Sequence, residues 1–536
     1  MIRINNVSLG LDSHEDNLLK KAARILGTSR ESIKKLEIVK KAVDARNKKN
    51  VFFVYTLGVE IDYEEEYMGL RNVVAAPNII YDVPNISNTA NKTNSVRPII
   101  IGAGPAGLFA ALILAEAGLN PIIIERGYPV DKRFLHVEEF FKGGNLNPRS
   151  NVQFGEGGAG TFSDGKLTTG IKDFRIQRVM DELVAFGAPE EIKYLTKPHI
   201  GTDKLCTILI NMRKKIESLG GEYWFNTQLV DITTKGGQLE SIVLEDLVSG
   251  ESRELDCGHL ILAIGHSARD TFEMLKKKGL HMEAKSFSIG LRIEHKQNSI
   301  NKAQYGKFWD HPKLGAADYK LSVNAEGRGV YTFCMCPGGQ VVAAASEEGR
   351  LAVNGMSRYK RDLENANSAV LVSVSPMDFA DFDGSDPLKG LYFQREIEAR
   401  AFALGGKNYF APVQLVGDFL TDKRSSAPGT VLPSYKPGYE FADLRECLPD
   451  FAVAPLKSAI KQMGKKLQNF DTYDAVLTAI ESRSSSPVRI PRDITYESGI
   501  LGLMPCGEGA GYAGGIMSSC VDGIRCAEAL ITMFNE

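Results

Sequence analysis

The sequence predicts an α/β protein whose central sheet is parallel and covered by helices. Three observations predict it. A β-branched strand at 99–101 ends in a glycine-rich turn, an Ala/Leu-rich helix follows from Pro105 to Ala117, and a second apolar strand ends in Glu125. A strand, a helix and a strand in this order form a βαβ unit, in which the two strands lie parallel.

The turn at 102–107 matches the G-x-G-x-x-G pattern of dinucleotide-binding sites. Gly102 permits a tight turn, Gly104 lets a pyrophosphate approach the backbone, and Gly107 lets helix and strand pack closely. The following helix directs its positive end at the phosphates. Glu125, eighteen residues after Gly107, suits a carboxylate that accepts both ribose hydroxyls. The predicted cofactor contacts here are Gly102, Gly104, Pro105, Ala106, Gly107, Glu125 and Arg126.

Length and composition are those of an ordinary globular protein. The 536 residues suit two or three domains, and 43% are apolar and 24% charged. A net charge of −2 gives no basic field for nucleic acid. No apolar stretch approaches the ~18 residues that span a bilayer, and no signal peptide is visible, so we expect a cytoplasmic protein. The eight cysteines lack disulfide or zinc spacing, and we expect no metal.

Pattern changes along the chain predict three units joined by a polar, turn-forming linker. The expected boundaries are a small N-terminal α/β module at 1–82, the linker at 83–96, a Rossmann-type dinucleotide-binding domain at 97–285 and 490–536, and an inserted mixed α+β substrate domain at 286–489. Within the module we expect one helix near 15–26 and strands near 2–9, 33–45 and 51–63.

A second glycine cluster lies at 155–166, with hydroxyls and a cation at its end. Such a loop can lie against a flat polar ligand and donate backbone N–H groups to it. A mobile surface loop is the alternative, although the flanking Phe154, Phe162 and Leu167 argue against simple solvation. The predicted contacts are Gly157, Gly158, Gly160, Thr161, Ser163, Asp164, Gly165 and Lys166.

A third cluster, at 507–515, follows an apolar segment and opens the last predicted helix. Glu508 suits a ribityl hydroxyl, and the helix N-terminus suits the carbonyl edge of a flavin ring. A helix cap with packing glycines is the alternative. An apolar strand at 259–265 also ends in glycine. The predicted contacts are Gly265, Gly507, Glu508, Gly514, Gly515 and Ile516.

Several longer runs resemble one bacterial family, that of the uncharacterised FAD-dependent, NAD(FAD)-utilising dehydrogenases. The matching runs lie at 158–167, 290–295, 333–339, 354–357, 483–490 and 507–515. The resemblance implies FAD and a glutathione-reductase-like two-domain fold, but it brings no established substrate. Where the family commonly has Glu-Thr-Arg-Thr, this chain has Glu481-Ser482-Arg483-Ser484, which keeps the hydroxyls.

Candidate catalytic residues are harder to select. Cys334 and Cys336 are either small side chains of a strand facing the pocket or a thiol that meets flavin or substrate; a C-x-C disulfide is disfavoured, and the sequence shows no basic neighbour. Arg483, Arg489 and Arg492 suit an anionic substrate group or ordinary salt bridges. Arg292 and Glu294 share one strand face, and His295 lies on the other. The candidates kept are Lys166, Cys334, Arg483, Arg489 and Tyr512.

The function expected from these residues is that of an FAD-dependent oxidoreductase, in which flavin N5 exchanges hydride with a small molecule held by the second domain. The alternatives are a flavin monooxygenase, an RNA-modifying partner, or a regulatory protein with a structural or redox-sensing FAD. No second strand-embedded G-x-G-x-x-G is expected after residue 167, so NAD(P)H would bind only transiently. The sequence leaves the substrate and oligomeric state open.

Overall fold

The computed structural model describes residues 1–77, 81–84, 97–379, 382 and 384–535. Within these ranges the protein is α/β, with three large β-sheets and two smaller ones. Most of the predicted linker at 83–96 lies outside the described residues. None of the helices in the described ranges is both long and apolar enough to cross a bilayer.

The N-terminal module is an antiparallel sheet covered by one helix. Its elements are β1 (Ile2–Gly10), α1 (Asn17–Leu26), β2 (Ile33–Asp44), β3 (Phe52–Ile61) and β4 (Val73–Ala75). The strand order is β2-β3-β1-β4. Leu18, Ala22 and Leu26 of α1 are buried against the sheet, as the helical spacing of apolar residues requires. The three-residue β4 was not expected, because so short a segment shows no periodicity.

The next segment contains the predicted βαβ unit. Its elements are β5 (Ile99–Ile101), α2 (Pro105–Glu116), β6 (Ile122–Glu125), α3 (Val130–Phe141), α4 (Arg175–Ala185), α5 (Thr202–Ser218), β7 (Glu222–Phe225), β8 (Thr227–Lys235), β9 (Gln238–Asp246), β10 (Ser252–Asp256), β11 (Leu260–Leu262), α6 (Arg269–Lys277) and β12 (Glu283–Ala284). Strands β8 to β10 form a separate antiparallel sheet. Helices α3 and α4 lie on either side of the second glycine cluster and were not expected from the sequence.

The middle of the chain forms a large, mostly antiparallel sheet with helices packed on it. Its elements are β13 (Phe287–Lys296), α7 (Gln297–Tyr305), β14 (Ser322–Ala325), β15 (Arg328–Ala343), β16 (Val353–Ser357), β17 (Asn365–Val374), α8 (Lys389–Leu404), β18 (Ala411–Leu415), α9 (Val416–Leu420), β19 (Tyr439–Phe441), α10 (Asp450–Lys466) and β20 (Val476–Glu481). The order is β14-β15-β17-β13-β20-β18-β19, with β16 paired to β15. We call this region the second unit.

The last segment returns to the parallel sheet. It contains β21 (Val488–Arg489), β22 (Leu503–Pro505) and α11 (Ile516–Asn535). Strand β22 pairs in parallel with β11, which completes the order β22-β11-β5-β6-β7. Helix α11 packs on α2 so closely that a Cβ on Gly523 would lie 2.0 Å from the carbonyl oxygen of Ala106.

Close packing also explains two glycines of the first turn. A Cβ on Gly107 would lie 2.0 Å from the carbonyl oxygen of Gly102. Gly102 itself has φ +102°, and a Cβ there would lie 2.4 Å from the carbonyl oxygen of Ala263. Both distances are far below van der Waals contact, so only glycine lets β5, α2 and the end of β11 approach one another.

Arg133 of α3 holds the second glycine cluster in place through hydrogen bonds to its backbone. Its side chain is fully buried, and its guanidinium donates to the carbonyl oxygens of Asn151, Val152, Gly155 and Glu156. Burial lowers the pKa of Arg133 to about 10, while Glu125 and Glu156 oppose that shift. These contacts compensate the desolvated charge, and they fix the path of the loop.

We expect Arg133→Met to destabilise the protein by about 3 kcal/mol or more, because it leaves several buried carbonyl oxygens without their donor and removes the positive charge near the carboxylates of Glu125 and Glu156. Denaturant unfolding measures the change. Lys132→Met is the matched control, since Lys132 is the exposed neighbour in the same helix. A loss below about 1 kcal/mol in the Arg133 variant would contradict this account.

Candidate functional site

The three glycine clusters meet in one cleft at the carboxyl ends of the parallel strands. The cleft is lined by residues from the ends of four strands: Ile101 and Gly102 at the end of β5, Glu125 at the end of β6, Ala263 after β11 and Cys506 after β22. Because the sheet order is β22-β11-β5-β6, these strand ends follow one another across the cleft. This edge of a parallel sheet is where ligands of such folds bind.

Glu125 lies at the β6 side of the cleft and is almost fully buried. Its Oε2 accepts the N–H of Ala103 at 2.9 Å, and its Oε1 accepts those of Gly127 and Gly155 at 2.8 and 3.2 Å. The carboxylate therefore braces two glycine clusters, a role that the sequence did not reveal. Arg126 also lines the cleft, where it packs over Phe154 and pairs with Asp270.

The middle of the cleft is made of main chain. A Cβ on Gly158 would lie 3.2 Å from the Cα of Gly104, and one on Gly160 would lie 3.0 Å from Cγ1 of Ile516. The second cluster therefore touches the first turns of both α2 and α11. Both helix N-termini face the cleft, which gives it partial positive charge and free N–H groups.

Most of the predicted cofactor contacts line this cleft. They are Gly102, Gly104, Pro105, Ala106, Glu125, Arg126, Gly158, Gly160, Ser163, Asp164, Lys166, Gly265, Gly507, Glu508, Gly514, Gly515 and Ile516. Four others lie behind the lining: Gly107, Gly157, Thr161 and Gly165. Thr161 is buried, and a Cβ on Gly157 would lie 2.2 Å from Oγ1 of Thr161. These residues therefore determine the path of the loop without lining the cleft.

The third cluster carries one carboxyl group. Burial raises the pKa of Glu508 to about 7, and Lys285 opposes the shift. Residues 509–514 do spell G-x-G-x-x-G after strand β22, which corrects the expectation that no second such turn exists. This turn joins the same parallel sheet and opens α11, so it belongs to the cleft already described.

The second unit forms the opposite wall through strands β15 and β16. Phe333, Cys334, Cys336, Asn354 and Gly355 line the cleft there. Cys334 is exposed and has φ +42°, a conformation that non-glycine residues rarely adopt. Desolvation by the walls raises the pKa of its thiol to about 12, so the thiol is neutral near pH 7.

Arg292 lies fully buried behind that wall. It pairs with Glu481 at 2.7 Å and donates to Asn367, to Asn354 and, at 2.6 Å, to the carbonyl oxygen of Cys334. The side chains of Arg292 and Lys166 supply the basic neighbours that the sequence did not show for this thiol. All eight cysteines are free.

Arg483 lines the cleft, but its donors are already engaged. It pairs with the buried Glu398 at 2.8 Å and donates to the hydroxyls of Ser267 and Ser346. Glu398 also pairs with Arg269. Burial alone would raise the pKa of Glu398, but the two arginines lower it. This network joins the parallel-sheet region to the second unit, so the structure favours the ion-pair interpretation of Arg483 over anion binding.

Arg489 and Tyr512 are placed outside the cleft lining. The ring of Tyr512 contacts the guanidinium groups of both Arg489 and Arg492, at 4.6 and 3.8 Å from its centroid. Arg492 forms a bidentate pair with Asp522. Asp522 clusters with Cys506 and Cys526 in a metal-like grouping, but Arg492 and the N–H of Gly507 use both carboxylate oxygens.

Sequence reasoning missed several lining residues because no motif contains them. Gln153, Gln228, His266 and Ser267 reach the cleft from loops and from the start of strand β8. Burial and the nearby Arg483 and Arg269 lower the pKa of His266 to about 3, so this imidazole is neutral near pH 7. Only the position of His266, directly after the predicted Gly265, could have suggested a site residue.

Three family models match the chain. Residues 96–299 match the pyridine nucleotide-disulphide oxidoreductase model, and residues 286–484 match the C-terminal domain-like model of FAD-dependent proteins. Residues 1–60 match a domain of unknown function. The first of the two larger matches runs from β5 to β13 and stops before β22 and α11, and the second contains the elements of the second unit from β13 to β20.

Among curated proteins, an "Uncharacterized protein" of Clostridium beijerinckii is 52% identical over all of this chain and 99% of its own length. A menaquinone reductase of Mycolicibacterium smegmatis is 26% identical over 34% of this chain and 41% of its own. Solved structures match more distantly. Flavin-dependent brominase Bmp2 covers 82% of this chain and 79% of its own at 13% identity and TM-score 0.38.

The resemblance seen in the sequence is thus confirmed over the whole chain. The parallel-sheet region of this protein is a Rossmann-type FAD-binding region like that of FAD-dependent flavoproteins. With the Clostridium beijerinckii protein, the chain belongs to an uncharacterised bacterial family of FAD-dependent, oxidoreductase-like proteins.

Proposed function

We propose that the protein is an oxidoreductase in which an extended FAD occupies the cleft and exchanges hydride with a small molecule. The adenosine end lies at the β6 side, near Glu125, and the flavin ring lies between the Gly158–Gly160 loop and the second unit. FAD, when bound, supplies hydride transfer at N5. This assignment divides the chain as in glutathione-reductase-like proteins, with the second unit as substrate domain.

The observation that carries the proposal is the convergence of two helix N-termini and three glycine-rich segments on one cleft. The residues present fit the cofactor. A Cβ on Gly104 would meet nothing closer than 4.0 Å, and those on Gly514 and Gly515 would meet nothing within that distance. The backbone at these glycines is thus open to the close approach of a ligand. The N-terminus of α2 suits the pyrophosphate, and that of α11 suits a ring that gains negative charge.

The walls supply placement rather than covalent chemistry. The neutral thiol of Cys334 and the neutral imidazole of His266 offer no strong base near pH 7. Binding between the parallel-sheet region and the second unit orients the substrate against the ring and excludes water. The reductant is either the substrate itself or a transiently bound NAD(P)H.

The test is the purified protein itself. We expect a yellow protein that releases FAD, rather than FMN or NAD, on denaturation. Under anaerobic conditions NADH, NADPH and candidate substrates are added in turn, and bleaching of the flavin band reports hydride transfer. A flavin that no small molecule reduces, and whose state alters the binding of another protein, would instead support a sensor. A colourless protein that yields only NAD would refute the proposal.

We expect Gly104→Val to give a folded protein without flavin. A Cβ at this position has no protein atom closer than the Cα of Gly158 at 4.0 Å, yet the side chain enters the path proposed for the pyrophosphate. Absorbance measures flavin occupancy, and thermal unfolding checks that the variant is folded. Gly170→Val is the matched control, since a Cβ at this exposed glycine also meets nothing within 4 Å. Full occupancy in Gly104→Val would place the phosphates elsewhere.

The raised pKa of Glu508 predicts a pH dependence of apoprotein stability. Between pH 4.5 and about 7 the folded state binds a proton that the unfolded state has lost, so stability falls as pH rises through this window, by up to about 3 kcal/mol. In Glu508→Gln this part of the slope disappears. Unfolding at several pH values, with wild type beside the variant, measures it. Parallel slopes for the two proteins would contradict the assignment.

A further inference from the structure

We propose that the substrate carries an anionic oxygen, such as a carboxylate, that binds Lys166 at the boundary between the parallel-sheet region and the second unit. This inference rests on the proposed function and adds the chemical class of the substrate. It starts from the charges that line the cleft at its second-unit end.

Among the described lining residues, Lys166 is the cation that lacks a carboxylate partner. Arg126 pairs with Asp270 and Arg483 pairs with Glu398, each at 2.8 Å. Among the residues that the structure describes, the Nζ of Lys166 donates only to the carbonyl oxygen of Met335. An ammonium group has three donors, so two of them remain for a ligand.

The nearby acids and thiols do not neutralise Lys166. Asp164, two residues earlier, forms a bidentate pair with Arg361 at 2.9 and 2.5 Å. Desolvation raises the pKa values of both Cys334 and Cys336, so these thiols are neutral near pH 7. A half-buried ammonium without a counter-charge is costly in such surroundings, and a ligand anion would remove that cost.

Asn354 offers a second donor on the facing wall. Its Oδ1 already accepts the N–H of Gly355 at 2.8 Å and Arg292 at 3.3 Å, which leaves its Nδ2 for a ligand. Arg292 also binds the carbonyl oxygen of Cys334. One guanidinium therefore keeps Asn354 beside the Cys334–Met335 segment, to which Lys166 is bonded from the other side.

The rest of this end suits the body of an organic anion. Phe333, Ala159 and Ile516 supply apolar lining. The loop that carries Lys166 also touches the N-terminus of α11, because Gly160 packs on Ile516 and accepts Ser163 Oγ. The N-terminus of α11 and the ammonium group of Lys166 thus both add positive potential at this end of the cleft.

The experiment titrates the FAD-containing protein with carboxylates and their neutral amides: acetate and acetamide, benzoate and benzamide. A ligand bound beside the flavin shifts its visible absorption, and the shift gives a Kd. In wild type we expect at least one carboxylate to bind tenfold or more tightly than its amide. Lys166→Met should weaken carboxylate binding about tenfold or more and leave amide binding unchanged. Lys166→Arg should retain carboxylate binding, because it keeps the positive charge.

Lys172→Met is the matched control, since Lys172 is an exposed lysine outside the cleft, and it should bind like wild type. Asn354→Asp gives a second test should Lys166→Met lose FAD, because a carboxylate in the facing wall should repel the same ligands. Equal binding of carboxylate and amide, no response to any carboxylate, or unchanged binding in a flavin-loaded Lys166→Met protein would overturn the inference. Absence of FAD from wild type would instead refute the proposed function.

Discussion

The site depends on one constraint, the close approach of main chain to main chain around the first turn. Helix α2 lies against β5 and the end of β11 because residues 102 and 107 have no side chains. Gly523 of α11 lets the last helix pack against the start of α2 in the same way. If either approach were wider, the two helix N-termini would no longer converge on the ends of the strands. The cleft is therefore a product of backbone packing more than of particular side chains.

Buried charged side chains then fix what surrounds this backbone cradle. Arg133 holds the second glycine cluster, and Glu125 braces it from the other side. The Arg269–Glu398–Arg483 network joins the parallel-sheet region to the second unit. Each charge is buried with a partner, as its desolvation requires. Lys166 differs from Arg126 and Arg483, the arginines of the cleft lining, because among the described residues its ammonium group is paired with a carbonyl oxygen and not with a carboxylate.

The sequence predicted the parts of the site that depend on local pattern. The βαβ unit, the three glycine clusters and the last helix follow from spacing, because turns and helix starts constrain glycine within a few residues. It did not predict the bracing role of Glu125 or the partners of Arg483, because those contacts join distant parts of the chain. Glu125 accepts from Ala103 and Gly155, 22 and 30 positions away, and the partners of Arg483 lie 85 to 216 positions away. The tyrosine–arginine stack at Tyr512 was missed for the same reason. Sequence alone also could not show that Arg292 lies behind Cys334, on the far side of the cleft wall.

The order of the segments in the chain has a consequence for biosynthesis. The parallel sheet begins at β5 but gains its edge strand only with β22, and the cradle is closed only by the turn before α11. When β11 is complete, four of the five strands of the sheet exist, but about 240 residues are still to be made before β22. During that interval the nascent protein has no complete pocket for its coenzyme, and the second unit can fold before the region that encloses it in sequence.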